Sequence, residues 1–261
     1  ALSEAGRHEE ALAAARTGAW GARRRPEALR WYEAVELKKL DLVEEARQVL
    51  EQLTADAPEY APGWRLLADV HEQTSAWDDY DRVAREMLER FPRYPQAYGY
   101  YADALRRRGE TSEARALLEK ALDLDANYVW AAQQLWALAE NAEPAAREAA
   151  VKRLRAALGD DAADVWNAKL RVAADAGRKD EAIGAMVKLC DAVPDRNAMT
   201  SKALALLVAH RWAEDLRIAL EPSVRCMPRG AASGVWAELS AARFGQLWPE
   251  NANTFLRTID D

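Results

Sequence analysis

Cysteine is nearly absent from this chain. Cys190 and Cys226 are the only two among 261 residues, with no CxxC pair and no cysteine–histidine cluster. That excludes a disulfide framework and a zinc site of the usual spacing. The two thiols read as buried and free in a reducing compartment, although a single bridge between them stays open. Histidine is equally scarce: His8, His71 and His210 stand far apart and share no ligand spacing. No apolar run approaches the roughly 20 residues that cross a bilayer, and no leader pattern opens the chain. Glycine-rich phosphate loops, HExxH and GxSxG are all missing, so the sequence offers no catalytic constellation, no cofactor site and no metal site. Positive charge is also in deficit. A net charge of −7 argues against a surface built to neutralise phosphates, so nucleic acid is not an expected partner.

What the sequence has instead is tryptophan, ten against three phenylalanines, and helical periodicity. From Tyr101 to Tyr128, apolar residues Leu117, Leu118, Ala121 and Leu122 recur at helical spacing behind a turn at Gly109. The pattern then repeats. Pro58, Pro92, Pro194 and Pro228 are separated by 34, 102 and 34 residues, all multiples of one period. Trp64, Leu67, Ala68, Ala84 and Met87 fall in the same phase as Tyr98, Tyr101, Ala102, Leu118 and Ala121. Trp166, Leu170, Ala173, Gly177, Ala182, Met186 and Leu189 follow the same scheme.

Each period holds two amphipathic stretches around a turn. Gly109 suits the left-handed residue that ends the first helix, and Thr111 or Ser112 is placed to cap the second. Ala114 and Ala121 share one helix face and allow close approach. Neither helix pair can bury its apolar face alone, so neighbours must stack.

A 34-residue period with a large residue near the start, a mid-repeat glycine, alanines in the second helix and a closing proline resembles the tetratricopeptide repeat (TPR) family. The resemblance implies an all-α, right-handed α-solenoid of stacked antiparallel helix pairs. It places a partial repeat at 1–26, complete repeats at 27–60, 61–94, 95–128, 129–162, 163–196 and 197–230, and a diverged repeat or cap at 231–261. The 129–162 repeat is diverged, and it and the 197–230 repeat lack the mid-repeat glycine. Beginning in a second helix, and without Met, the sequence reads as a region of a longer protein; its alanine-rich, arginine-over-lysine composition points to a bacterial source and the missing leader pattern to a cytoplasmic setting.

The family lines its concave groove with particular positions of each first helix. Carried onto this chain, these are Trp31, Lys38, Lys39, Arg65, Asp69, Gln73, Asp103, Arg106, Arg107, Trp130, Gln133, Asn167 and Arg171. Trp31 and Trp130 sit out of the core register and are groove candidates. Trp64 and Trp166 are expected in the core, with Trp77 and Trp212 packed into turns. Asp78, Asp79 and Asp81 complement a helix start. Arg23–Arg25 and Arg106–Arg108 read as solvated helix ends. The carboxylate clamp of chaperone-binding members is missing, since Arg65 with Asp69 and Gly99 with Asp103 stand at its positions. The implied function is a non-enzymatic scaffold that binds a peptide or helix of a partner protein. The alternative is a regulatory or substrate-presenting arm of an enzyme whose catalytic domain lies outside these residues.

Overall fold

The computed structural model describes residues 2–17, 26–140 and 142–193, with scattered positions between 202 and 219. Among the described residues there are eleven helices and no strand. The chain divides into two compact units, Ala1–Asp125 and Ala126–Asp261.

The first unit holds α1 (His8–Thr17), α2 (Glu27–Lys39), α3 (Val43–Asp56), α4 (Ala61–Gln73), α5 (Trp77–Arg90), α6 (Pro95–Arg107) and α7 (Thr111–Leu124). Each helix packs on the next, and the first helices α2 and α4 also touch. The second unit holds α8 (Val129–Ala139), α9 (Pro144–Leu158), α10 (Ala163–Asp175) and α11 (Lys179–Ala192). Here α9 packs on both α8 and α10, and α10 packs on α11. First helices therefore begin at Glu27, Ala61, Pro95, Val129 and Ala163, each 34 residues after the last.

The turn inside each pair explains this regularity. Asp41, Ser75, Gly109 and Gly177 take left-handed φ values of 62°, 56°, 81° and 70°. One residue later the backbone N–H reaches back five residues to close the helix. Leu42 donates to Leu37, Ala76 to His71, Glu110 to Leu105 and Arg178 to Ala173, all at 2.8–2.9 Å. This is the Schellman closure, which satisfies carbonyls that a helix end otherwise leaves bare. Glycine is the favoured residue there but is not required: Asp41 and Ser75 adopt the same conformation.

The expected cap on α7 is not formed. Glu110, rather than Thr111 or Ser112, is the N-cap residue, and no side chain caps the helix. The helix begins too early for either to cap it: the Ala114 amide already donates to the Glu110 carbonyl at 3.0 Å, which places Thr111 and Ser112 inside the first turn.

Small residues bring the pairs together. Ala46, Ala114 and Ala182 occupy one repeat position and are fully buried. Leu37, Leu50, Leu53, Leu67, Val83 and Met87 fill the first unit's core, and Leu170, Met186, Leu189, Leu207 and Leu216 fill the second's. Cys190 is free and 1% exposed, and burial pushes its thiol up to about 12. Cys226, Arg23–Arg25 and nearly all of 194–261 lie outside the described residues. No described helix is long and apolar enough to cross a membrane.

The 129–162 repeat breaks the pattern. Its first helix is shortened to 11 residues, and Glu143 stands at the left-handed turn position with φ −55° and ψ 147°, directly before Pro144. A residue preceding proline is held extended, so the Schellman turn cannot form there. The second helix then presents Ala150 and Leu154 to the core. In the other repeats the corresponding core positions are those of Ala114, Leu118 and Ala121, so α9 is rotated relative to its counterparts.

Candidate functional site

The first helices present polar side chains at matching repeat positions, and in the first unit these are braced from one helix to the next. Arg65 on α4 donates to the Tyr94 hydroxyl at 3.1 Å, and the Tyr100 hydroxyl on α6 donates to Asp69 at 2.6 Å. Arg107 on α6 reaches Glu72 on α4 at 2.7 Å. Three rungs thus tie α4 to α6 and its approach.

Asp103 is the hub of this surface. It is 5% exposed and accepts from Arg106 and Arg107, each at 2.7 Å, and from the Tyr80 hydroxyl at 3.2 Å. Burial alone would raise its carboxyl, yet the arginine hydrogen bonds and charges hold it below the usual carboxylate range. Burial and the adjacent Asp103 charge push the Tyr80 hydroxyl well above the ordinary phenol value. Burial and Asp69 do the same to Tyr100, while Arg65 opposes them. Asp103, Tyr80 and Tyr100 therefore keep fixed charge states at neutral pH. None is a proton donor or acceptor tuned near pH 7, as general acid–base chemistry would require.

Arg107 completes the cluster by lying over the Trp77 ring, 4.1 Å from its centroid. Trp77 is 42% exposed, so it is not packed into the turn as expected. It opens α5 on the solvent side, and the guanidinium of the next first helix covers it. The Arg106–Arg108 run is likewise no set of free, solvated ends. Arg108 pairs with Asp81 and Glu110, both at 2.8 Å, while Arg106 and Arg107 converge on Asp103.

On α2, Trp31 lies partly buried against the first unit's core, edge-on to Tyr32 with ring centroids 5.0 Å apart. Lys38 is half-buried, and Lys39 bonds Glu36 at 3.1 Å and also the Ser3 hydroxyl. Gln73 is exposed at the end of α4.

In the second unit, Gln133 on α8 donates to Asp164 on α10 at 2.8 Å, and Arg171 on α10 pairs with Glu140. Trp130 stacks on Tyr128, centroids 6.0 Å apart. Asn167 keeps a buried side-chain oxygen without a hydrogen-bond partner. Trp64 is buried as expected, whereas Trp166 and Trp212 are only partly so. Among the described residues no group of three or more histidines, cysteines and carboxylates could hold a metal ion.

No protein-family model matches the sequence, and no characterised protein matches it in sequence. Solved structures do resemble its fold. One is PilW, described as a widely conserved type IV pilus biogenesis factor, with a TM-score of 0.57 and 18% identity over 92% of this chain and all of that one. A second is YrrB, described as a TPR protein with an unusual peptide-binding site, at TM-score 0.54 and 16% identity, covering 68% of this chain and 91% of that one. A third is the Cut9-Hcn1 APC/C hetero-tetramer, at TM-score 0.55 and 15% identity; the match covers all of this chain but 48% of that one. With helix pairs every 34 residues, these likenesses decide the architecture. The fold is TPR-like.

The TPR-like positions named from the sequence include Arg65, Asp69, Asp103, Arg106 and Arg107, which the structure gathers on α4 and α6. It adds Tyr80, Tyr94 and Tyr100, which the sequence reading passed over. A signal for Tyr80 existed: it stands at the position where Ala46, Ala114 and Ala182 keep neighbouring TPR-like pairs in close contact.

Proposed function

We propose that the row of first helices in the first unit, α2, α4 and α6, is a docking surface, a concave groove that binds an extended or helical segment of another protein. The observation that carries this reading is the braced polar row on α4 and α6: Arg65, Asp69, Asp103 and Arg107 are held by partners on or beside neighbouring helices, and Arg106 by Asp103 on its own, before any ligand arrives. Preorganised side chains lose little rotamer freedom on binding, so more of each contact appears as affinity. A set of fixed charges spread over successive repeats suits a long, chemically varied segment and supplies no nucleophile or tuned base. A non-catalytic scaffold is the role that fits.

The experiment is affinity capture from the source cell's lysate, with the native chain beside a Lys38→Glu/Arg65→Glu variant, read by mass spectrometry. Melting of the variant is followed in parallel, because Arg65 also braces Tyr94. A partner captured by the native chain and lost from the equally stable variant supports the groove. Undiminished capture by the variant overturns it.

A further inference from the structure

A second surface lies in the second unit, on another side of α10. At about 100° per residue, Trp166, Lys169 and Ala173 share one side of that helix, and Asn167 and Arg171 the other. Beside Trp166, between α9 and α11, opens a cleft of about 580 Å³ floored by Trp166, Val151, Val172 and Ala185. Clefts that hold ligands run from about 300 to 1,000 Å³.

Its openness follows from three departures from the repeat. Glu148 has the repeat position of the buried Ala46, Ala114 and Ala182, but the rotation of α9 turns it out to the cleft edge, where it is exposed. Gly184 replaces the side chains of Gln48, Arg82 and Ala116, and a Cβ added there would meet nothing within 4 Å. Ala192 stands at the position of Arg90, whose guanidinium covers Trp64, 5.1 Å from that ring's centroid. Trp64 is accordingly 5% exposed, whereas Trp166 is only partly buried.

The rim is selective in charge. Arg178 pairs with both Glu148 and Glu181, at 3.3 and 3.1 Å, so the two acids are already engaged. Lys169, 4.0 Å from the Trp166 centroid, and Lys188 line the same cleft, and neither has an ion-pair partner among the described residues. In a chain of net charge −7, two cations that form no ion pair among these residues, one of them lying over the Trp166 ring, are an asymmetry that acids on a ligand would match.

We propose that this cleft seats an acidic amphipathic segment of a partner protein, its apolar side chains on Trp166 and Ala185 and its carboxylates toward Lys169 and Lys188. This is helix-in-groove recognition on a surface separate from the first-helix row. The interaction does not depend on that row being a groove.

The test uses short synthetic helical peptides with the full chain. One carries leucines at i, i+3 and i+7 among glutamates; a second has lysines for the glutamates; a third has alanines for the leucines. Binding is followed by heteronuclear NMR at the Trp166 indole, assigned through Trp166→Phe. The Glu/Leu peptide is expected to shift that signal saturably, with both controls at least about tenfold weaker. Gly184→Leu, which fills the cleft at an exposed helix position, and Lys169→Glu/Lys188→Glu should each weaken binding by about tenfold with melting unchanged. Equal binding of the Lys/Leu peptide, undiminished binding to Gly184→Leu, or an unmoved Trp166 signal overturns the proposal.

Discussion

The pairs that span 61–128 and the pair that spans 129–162 are built from the same length of chain, yet they solve helix packing differently. In the first, a left-handed residue closes each first helix and sets the second helix so that Tyr80 or Ala114 faces inward. In the other, Pro144 forbids that turn, α8 is shorter, and α9 rotates to bury Ala150 and Leu154. Period and register are therefore separable: the period can survive while the inward face moves. The rotation also leaves Glu148 at the edge of the cleft beside Trp166, so the irregular repeat shapes a surface of its own.

The largest expected effect tests that rotation. Leu154 is fully buried, so Leu154→Ala should cost about 2–5 kcal/mol in chemical denaturation. Lys152 stands at the repeat position of Leu50, Leu118 and Met186, all buried, but is itself exposed. Lys152→Ala should stay within about 0.5 kcal/mol of the native chain. Comparable costs for the two would mean that α9 keeps the common register.

Much of this was legible in the sequence, because a 34-residue recurrence of Trp, Ala, Gly and Pro specifies helix pairs and where they start. The rotation of α9 was not, because a rotated helix puts its apolar residues between the phases that the repeat fixes. The first-helix row was legible as a set of positions, Arg65, Asp69 and Asp103 among them. Its bracing was not, because Arg65–Tyr94, Asp69–Tyr100 and Glu72–Arg107 pair residues about one repeat apart. The exposure of Trp77 escaped for the same reason: its partner Arg107 belongs to the next pair.

A second comparison sets His71 against its counterparts Leu37, Leu105 and Leu207. All four are buried at the same closure position, but both ring nitrogens of His71 lack hydrogen-bond partners. Burial lowers its pKa from the ordinary value; Asp79 and Glu51 oppose this, and Arg82 and Arg47 add to it. The folded state thus takes up a proton less readily than the unfolded one. Stability from this site is present above the unfolded value, about 6.5, and is lost as pH falls below it toward the folded value. His71→Leu should stabilise by about 1–3 kcal/mol at neutral pH by removing an unsatisfied buried group. It should also flatten the fall in melting temperature below about pH 6.5. An unchanged pH profile in the variant would show that another group carries it.

The smallest effect concerns the turn residue itself. Asp41, Ser75, Gly109 and Gly177 share one backbone conformation, so the Schellman hydrogen bonds and the packed helices impose it whatever the side chain. A non-glycine residue there pays for Cβ crowding, and glycine avoids that cost while losing more freedom on folding. The balance favours glycine, so Ser75→Gly should raise stability by about 0.5–1 kcal/mol and Gly109→Ala should lower it by a similar amount. Glu143→Gly should show no such gain: residue 143 is extended ahead of Pro144, a backbone open to any residue, and glycine would only add freedom to the unfolded chain. Denaturation midpoints of the three variants measure this directly. A gain at 143 equal to that at 75 would place the left-handed turn in all the pairs and leave the rotation of α9 without its cause.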